Sequence, residues 1–446
     1  MDARFEARRQ AILDECTMKP EVFEQVLPRL ESFLQPFVVS LCRREQGEHL
    51  NLYVSGLLSD LEDKNVESIA YRFGLGRMGL QRFVGYAEWD DAALREQLAR
   101  QIGQQLGEAD AVLVFDPSAF AKSGKQSVGV ARQWCGRLGK VENCQVGIFL
   151  GYVSRHEHAL VDMRLYLPEE WTQDQDRLDK AGVPKAQRRL RTRHQLCLEM
   201  LADKGPYLPH GWIAADDEFG KVYSFRRALH QLQERYLLAT PSNLLIRDLE
   251  VEPPSWCGRR PNRPWQRIDA WLADLPANAW TQVDVRDGAK GPLLVEMVKR
   301  RVSGRTPNRQ QGHDEVLVVI RYRDRDNDTV VQVDSYFSNA ATETSLAEFA
   351  RVAKAEHRIE ECIQRSKQEA GLADYEVRNW KGWHHHMTLS LLASWFLITE
   401  TKRGKKMDPG DYAPPNPRRD RSDPTPSMPM RHRRANPPRT RTASTT

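Results

Sequence analysis

Asp116, Asp216 and Glu360 are carboxylates at points where the local pattern would hold an acid in a fixed place. Asp116 follows the continuous apolar run 111–115 and precedes Pro117 and Ser118. Such a run reads as a buried central strand delivering a carboxylate at its C-terminal end, although a turn aspartate capping the next element reads alike. Asp216 opens the run Asp216-Asp217-Glu218 just after a second short strand-like stretch, 211–215, with Asp217 as the alternate one residue on. Glu360 lies in a helical run beginning near Ser345, where Leu346, Phe349, Val352, Ile359 and Ile363 recur as one buried stripe, and its neighbour Glu361 is a weaker substitute. Lys367 stands two turns beyond Glu360 on nearly the same face, a spacing shared with ordinary solvated charge pairs.

If the two strands are neighbours and the helix packs across them, the three acids converge. Hard oxygen ligands of this kind suit two Mg²⁺ or Mn²⁺ ions about 3.5–4 Å apart, which activate a water or 3′-hydroxyl and stabilise the leaving oxygen. That is phosphodiester chemistry. No Ser/His/Asp or Cys/His arrangement is evident, and the seven scattered cysteines form no CxxC pair. His384, His385 and His386 are adjacent on a helix and point in different directions, so they read as packing or DNA-facing residues. Asp324, Asp326 and Asp328 mimic a calcium loop, but Thr329 and Ser335 stand where glycine and glutamate are needed.

The elements that must position these acids follow in order. Residues 1–104 read as helices, and 65–73, 74–76 and 78–84 read as a helix, a glycine turn and a helix: a helix-turn-helix or two packed helices. From 105 to 245 the expected order is β-β-β-α-β-α-β, the first part of an α/β catalytic core. Residues 246–338 read as a separate β-rich insert. There Trp256, Trp265, Trp271 and Trp280 alternate with Arg259, Arg260, Arg263 and Arg267, a pattern of base stacking or, more ordinarily, of a small core. Lys299, Arg300 and Arg301, with Arg305 and Arg309, read as a basic loop for phosphate. Residues 339–402 carry the Glu360 helix and a final buried helix.

Net charge is +5 over 446 residues, but residues 401–446 alone carry +8 and nine of the 25 prolines, so 403–446 read as a disordered basic tail suited to a phosphate polymer. The longest apolar stretch, 387–399, is too short to span a bilayer, and no apolar leader is present; a soluble, cytoplasmic protein is expected.

The segments Asp116-Pro-Ser-Ala-Phe120, Ser127-Val-Gly-Val-Ala-Arg-Gln-Trp-Cys-Gly-Arg-Leu-Gly-Lys-Val-Glu-Asn-Cys-Gln-Val-Gly147, Arg164-Leu-Tyr-Leu-Pro168 and Ala215-Asp-Asp-Glu-Phe-Gly220 resemble bacterial insertion-sequence transposases of the DDE superfamily. The likeness runs from about Ser55 to Leu397 and is nearest to the branch with a β-insert between the second Asp and the Glu. It implies a ribonuclease-H-like mixed sheet core, cut-and-paste transposition with two Mg²⁺ or Mn²⁺ ions, and a homodimer acting on double-stranded terminal inverted repeats and target DNA at a prokaryotic nucleoid. By the same likeness Asp116, Asp216 and Glu360 are the catalytic acids and Lys367 holds transposon-end DNA; apart from the likeness, Arg358, by its proximity to Glu360, and Arg378 are read as further DNA-contacting cations. Those transposases carry Tyr and Arg seven and four residues before the Glu, where this chain has Ala353 and Glu356. A domesticated DNA-binding protein and an endonuclease that never joins ends are the alternative readings.

Overall fold

The apolar run before Asp116 becomes the central strand of a large mixed sheet in the computed structural model, which describes residues 24–252, 264–288, 291–323 and 329–407. Trp256, Arg259, Arg260 and Arg263, the Asp324-to-Asp328 run and the tail from residue 408 lie outside the described residues.

Helices come first: α1 (Val26–Val38), α2 (Arg44–Leu57), α3 (Val66–Arg72), α4 (Arg77–Gly85) and α5 (Asp91–Leu106). Asn65 caps α3 by accepting from the Ser68 amide at 2.9 Å, and Asp90 caps α5 by accepting from the Ala92 amide at 2.9 Å. Gly74, at φ 68°, makes the left-handed turn between α3 and α4.

The sheet then builds through β1 (Val112–Ala121), β2 (Ala131–Cys135), β3 (Lys140–Val153) and β4 (His158–Leu165), followed by α6 (Arg193–Lys204), β5 (Trp212–Ala215), α7 (Tyr223–Gln231) and β6 (Tyr236–Thr240). Its core order is β4-β3-β1-β5-β6, with β4, β3 and β1 antiparallel and β1, β5 and β6 parallel. This is the ribonuclease-H-like arrangement. β1 runs further than the apolar run alone suggests: Asp116 pairs opposite Phe149, and pairing with β3 continues through Pro117 to Ala121. β5 pairs only residues 112–115, so beyond Phe115 the strand has a partner on one side, a position that tolerates proline. Asp116 is therefore a strand residue and not a turn cap.

The β-rich stretch supplies β7 (Leu245–Asp248), β8 (Gln266–Arg267), β9 (Thr281–Gly288), β10 (Gly291–Arg305), β11 (Gln311–Arg323) and β12 (Val330–Ser338). It does not stand apart from the core. β12 pairs antiparallel with β6, and β11 and β10 follow, so the core sheet simply continues and the edge of β6 is covered. Arg226 of α7 and Glu315 of β11 fix this junction in full burial at 2.8 Å, with the Tyr236 hydroxyl donating to Glu315 at 2.6 Å. Trp271 is buried, the core role anticipated for tryptophans here.

Two long helices, α8 (Leu346–Glu369) and α9 (Trp380–Met407), close the fold. Ser345 caps α8, whose buried face is Phe349, Val352, Ile359 and Ile363. α9 carries the three histidines into the interior. His385 sits between the Val84 and Trp89 carbonyls and donates its single N–H to one of them, and His386 bonds Tyr53 and the Gly371 carbonyl, so both tie α9 to its surroundings. Burial lowers the His384 and His385 rings to about 4 and His386 to about 3. They are packing residues, and none faces outward to DNA. Among the described residues no helix is long and apolar enough to cross a membrane.

The helical segment is locked to the sheet by charge. Asp162 of β4 is fully buried against Arg95 of α5 and against Arg164. Burial works against its ionisation, yet Arg164 and Arg95 outweigh it and hold the carboxyl at about 2. Asp162→Ala would leave Arg95 buried beside Asp91 alone. It is expected to lower unfolding free energy by about 3–5 kcal/mol, read by urea denaturation.

Candidate active site at the strand ends beneath α8

In the parallel pairing of β1 and β5, Phe115 lies opposite Ala215. Asp116 is the next residue on β1 and Asp216 the first residue past the end of β5, so the last ladder pair brings their backbones close to one another. β5 ends there because Asp216 turns into the cap of a single helical turn, Asp217–Gly220, accepting from the Glu218 amide at 3.1 Å. Gly220 lets that turn lie against β6, since a Cβ there would sit 1.8 Å from the Ala239 carbonyl oxygen. Asp216 is half-buried and its charge acts on Asp116, whereas Asp217 is exposed.

On β1, Asp116, Ser118 and Phe120 share one face by strand alternation. Lys367 of α8 reaches that face: its Nζ donates to Ser118 Oγ at 2.7 Å and lies 4.9 Å from the centre of the Phe120 ring. Further up the helix, Ile359 fills the space that a side chain at Gly151 of β3 would need; a Cβ there would be 2.3 Å from Ile359 Cδ1. These two contacts seat α8 over the strand ends. Glu360 follows Ile359 and points outward, with a 76% exposed side chain and His357 Nδ1 at 3.9 Å. One turn earlier, Glu356 is half-buried and faces inward.

The electrostatics follow from like charges gathered in partial burial. Burial, then the charges of Asp216 and Glu360, push Asp116 up to about 8, opposed by Lys367. Asp216 is pushed up to about 7 by burial with Glu218 and Asp217. Glu356 is pushed up to about 8 by burial, then Asp216, Asp116, Asp334 and Glu360. Hard carboxylate oxygens whose repulsion a divalent cation would relieve fit Mg²⁺ or Mn²⁺ in chemistry. Among the described residues, no three His, Cys, Asp or Glu side chains stand close enough to hold an ion between them.

Other anticipated residues lie elsewhere. Arg358 turns to the β3–β4 hairpin, donating to the Ser154 carbonyl at 3.2 Å and the Arg155 carbonyl at 3.3 Å. Glu361 is exposed and acts on His158, away from the two aspartates. Lys299, Arg300 and Arg301 are in the middle of β10 and not in a loop. Lys299 donates to the Thr342 and Thr344 carbonyls, Arg300 pairs with Asp248 and Glu250, and Arg301 pairs with Asp314. The strand interior gives each of them an internal partner. Arg378 is exposed. Glu356 and Asp334 are the acids that sequence reasoning did not place in the cluster; the four-residue spacing from Glu360 was the available signal for the first.

A raised carboxyl pKa has a definite sign. With Asp116 near 8 when folded and near 4 when unfolded, the folded state keeps a proton that the unfolded state releases, so this group removes stability as pH rises from about 4 through 8. Asp116→Asn escapes that loss. In EDTA its melting temperature should match wild type near pH 4 and exceed it by roughly 2–5 °C near pH 8, read by paired thermal melts across that range.

Comparison with known proteins agrees with this geometry. The sequence model of the DDE superfamily endonucleases matches residues 36–292, which include Asp116 and Asp216 and end before α8. The probable transposase for insertion sequence element IS701 of Microchaete diplosiphon is 25% identical over 243 residues, covering 53% of this chain. The match spans 59% of that relative's length. With more than half of its length matched and its two aspartates on adjacent strand ends of a ribonuclease-H-like sheet, the chain belongs to the DDE superfamily endonucleases.

Proposed function

We propose that this chain is a DNA transposase that cleaves at the terminal inverted repeats of an insertion sequence and joins the freed 3′ ends to target DNA. The observation that supports it most is that Asp116 and Asp216 each directly follow the paired residues Phe115 and Ala215 of neighbouring strands, beneath a helix bearing Glu360 and Lys367. The similarity to the IS701 transposase points the same way. Asp116, Asp216 and Glu360 would hold two Mg²⁺ or Mn²⁺ ions, which supply activation of the attacking oxygen and stabilisation of the leaving one.

The chain's own residues do the positioning. Asp116 is held in the β1–β3 ladder and Asp216 caps the turn that follows the last β1–β5 pair, so both backbones are fixed before a phosphate arrives. Lys367, tethered to Ser118, sets a cation beside them where a DNA phosphate passes, and exposed Arg378 serves as a further DNA contact. Residues 1–104 serve as the DNA-binding domain, with the α3–turn–α4 unit as its reader. Residues 105–245 and 339–402 serve as the catalytic core, 246–338 as the insert, and the basic 403–446 segment as an added DNA contact. Two copies pair two transposon ends on double-stranded DNA, in the cytoplasm of a prokaryote.

The test is purified protein with labelled DNA bearing its flanking repeats, in Mg²⁺, Mn²⁺ or EDTA, beside Glu360→Gln. Expected are metal-dependent cuts at the repeat ends and joined products, with cleavage reduced about a hundredfold or more in the variant, the scale of losing several kcal/mol of charge stabilisation. Cuts without joining would reduce the function to an endonuclease. Repeat binding without any cut in either metal would leave a DNA-binding protein.

A further inference from the structure

We infer that the tip of the β2–β3 hairpin is a DNA contact, with Trp134 laid against a base or deoxyribose and the cations around it on phosphates of the same duplex that reaches the acids. This rests on the DNA reading above and adds a surface to it. Trp134 pairs across the hairpin with Val141, and Leu138 sits in the single 3₁₀ turn between the strands. The three are 58%, 49% and 44% exposed, so one large aromatic and two aliphatic side chains stand in solvent at one turn. Gly139, at φ 61°, gives that turn its left-handed bend. Single apolar side chains on a surface are ordinary; three gathered at one tip mark a contact.

Register places the tip relative to the acids. Asp116 lies opposite Phe149 on β3, and the pairing of β3 with β1 and then β2 runs without a bulge from there to Trp134 opposite Val141. Val141 stands an even number of residues from Phe149, so Trp134 and Val141 fall on the sheet face that carries Asp116. That length of strand is about 27 Å at about 3.4 Å a residue, the span of roughly eight base pairs.

Charge identifies the occupant. Residues 122–142 hold five Lys or Arg and one acid, Glu142, in a chain whose net positive charge otherwise comes from the segment beyond residue 400. Arg132 is on the same face as Trp134, two residues before it; its side chain is 72% exposed, and that of Lys140 at the turn 62%. Glu142 lies 3.9 Å from the first and 3.2 Å from the second, surface pairs weak enough to yield to a phosphate. The Asn143 amide donates to the Lys122 and Gly124 carbonyls, which ties the loop bearing exposed Lys125 to the hairpin. The Val128 amide donates to the Arg378 carbonyl at 2.9 Å and brings the backbone of that exposed arginine to the same loop. A tip made for a second copy of this chain would be depleted of charge around its apolar centre. Cations in excess around an exposed aromatic suit a base stack and its backbone instead.

The experiment measures binding of the full-length protein to a double-stranded repeat end by fluorescence anisotropy across a salt series, in EDTA, with light scattering on the same samples. Wild type is compared with Trp134→Ala, Trp134→Phe and the double variant Arg132→Gln/Lys140→Gln. Trp134→Ala should weaken binding about tenfold, and Trp134→Phe, which keeps an aromatic face, less than about threefold. The double variant should flatten the log–log salt slope by about 2. All three side chains are exposed, so melting temperatures should stay within about 2 °C of wild type. Wild-type affinity and slope in every variant would overturn the inference and leave the DNA reading standing. Failure of the wild type to bind repeat DNA would remove that reading and the inference with it. Loss of binding in Trp134→Ala together with dissociation of a wild-type dimer would assign the tip to contact between copies and overturn the DNA role. Should Trp134→Ala fail to fold, an unchanged salt slope in the double variant would still overturn it.

Discussion

Everything near the active centre answers to one constraint: Asp116 and Asp216 are held side by side although their charges repel. At the strand spacing, and with an effective dielectric of about 20, that repulsion is on the order of 3 kcal/mol if both are ionised. No side-chain contact could keep such a pair together for long. Backbone pairing can, because each aspartate continues directly from a β1–β5 residue pair whose ladder hydrogen bonds do not depend on protonation. Asp116 is pushed up by burial and then by the Asp216 charge, and a hard cation is what would relieve such an arrangement.

The remaining architecture serves to place α8 over this pair. Ile359 fills the gap above Gly151, and Lys367 is tethered to Ser118, two contacts roughly two turns apart that fix both the height of the helix and its rotation. β12 adds to the edge of β6 and carries Asp334, whose charge helps to raise Glu356 of the same helix. The β-rich stretch is therefore part of the surroundings of the site, tied in by the buried Arg226–Glu315 pair. On the other side, Asp162 between Arg95 and Arg164 joins the helical segment to β4, and the buried histidines of α9 bond its carbonyls. Movement of the helical segment is thus coupled to the sheet that holds the aspartates.

Stability and function pull against each other here. A protein built only to be stable would replace one of the clustered acids by an amide or an apolar residue, because unpaired carboxylates in partial burial destabilise the fold. Asp116 and Asp216 lie within the stretch that matches the DDE superfamily endonucleases, which fits a use for that strain.

Much was legible in the chain itself. Apolar runs of strand length marked β1 and β5, each followed by an acid, and the stripe from Leu346 to Ile363 marked α8, because periodicity reports directly which side of an element is buried. The ribonuclease-H-like order was likewise implied by the motif block around residues 127–147, which forms the β2–β3 hairpin. Tertiary structure alone decided the rest. Whether Asp216 or Asp217 faces Asp116 depends on where β5 stops and its cap begins, a one-residue matter of register. Glu356, Glu360 and Glu361 are indistinguishable as letters, and only the docking angle of α8 turns the first inward and the other two to solvent. Arg358 and the Lys299–Arg301 run looked available to DNA until the fold supplied carbonyl and carboxylate partners from residues distant in sequence. Charge in a sequence states what a side chain can bind; which partner it meets is settled by contacts that no local pattern encodes.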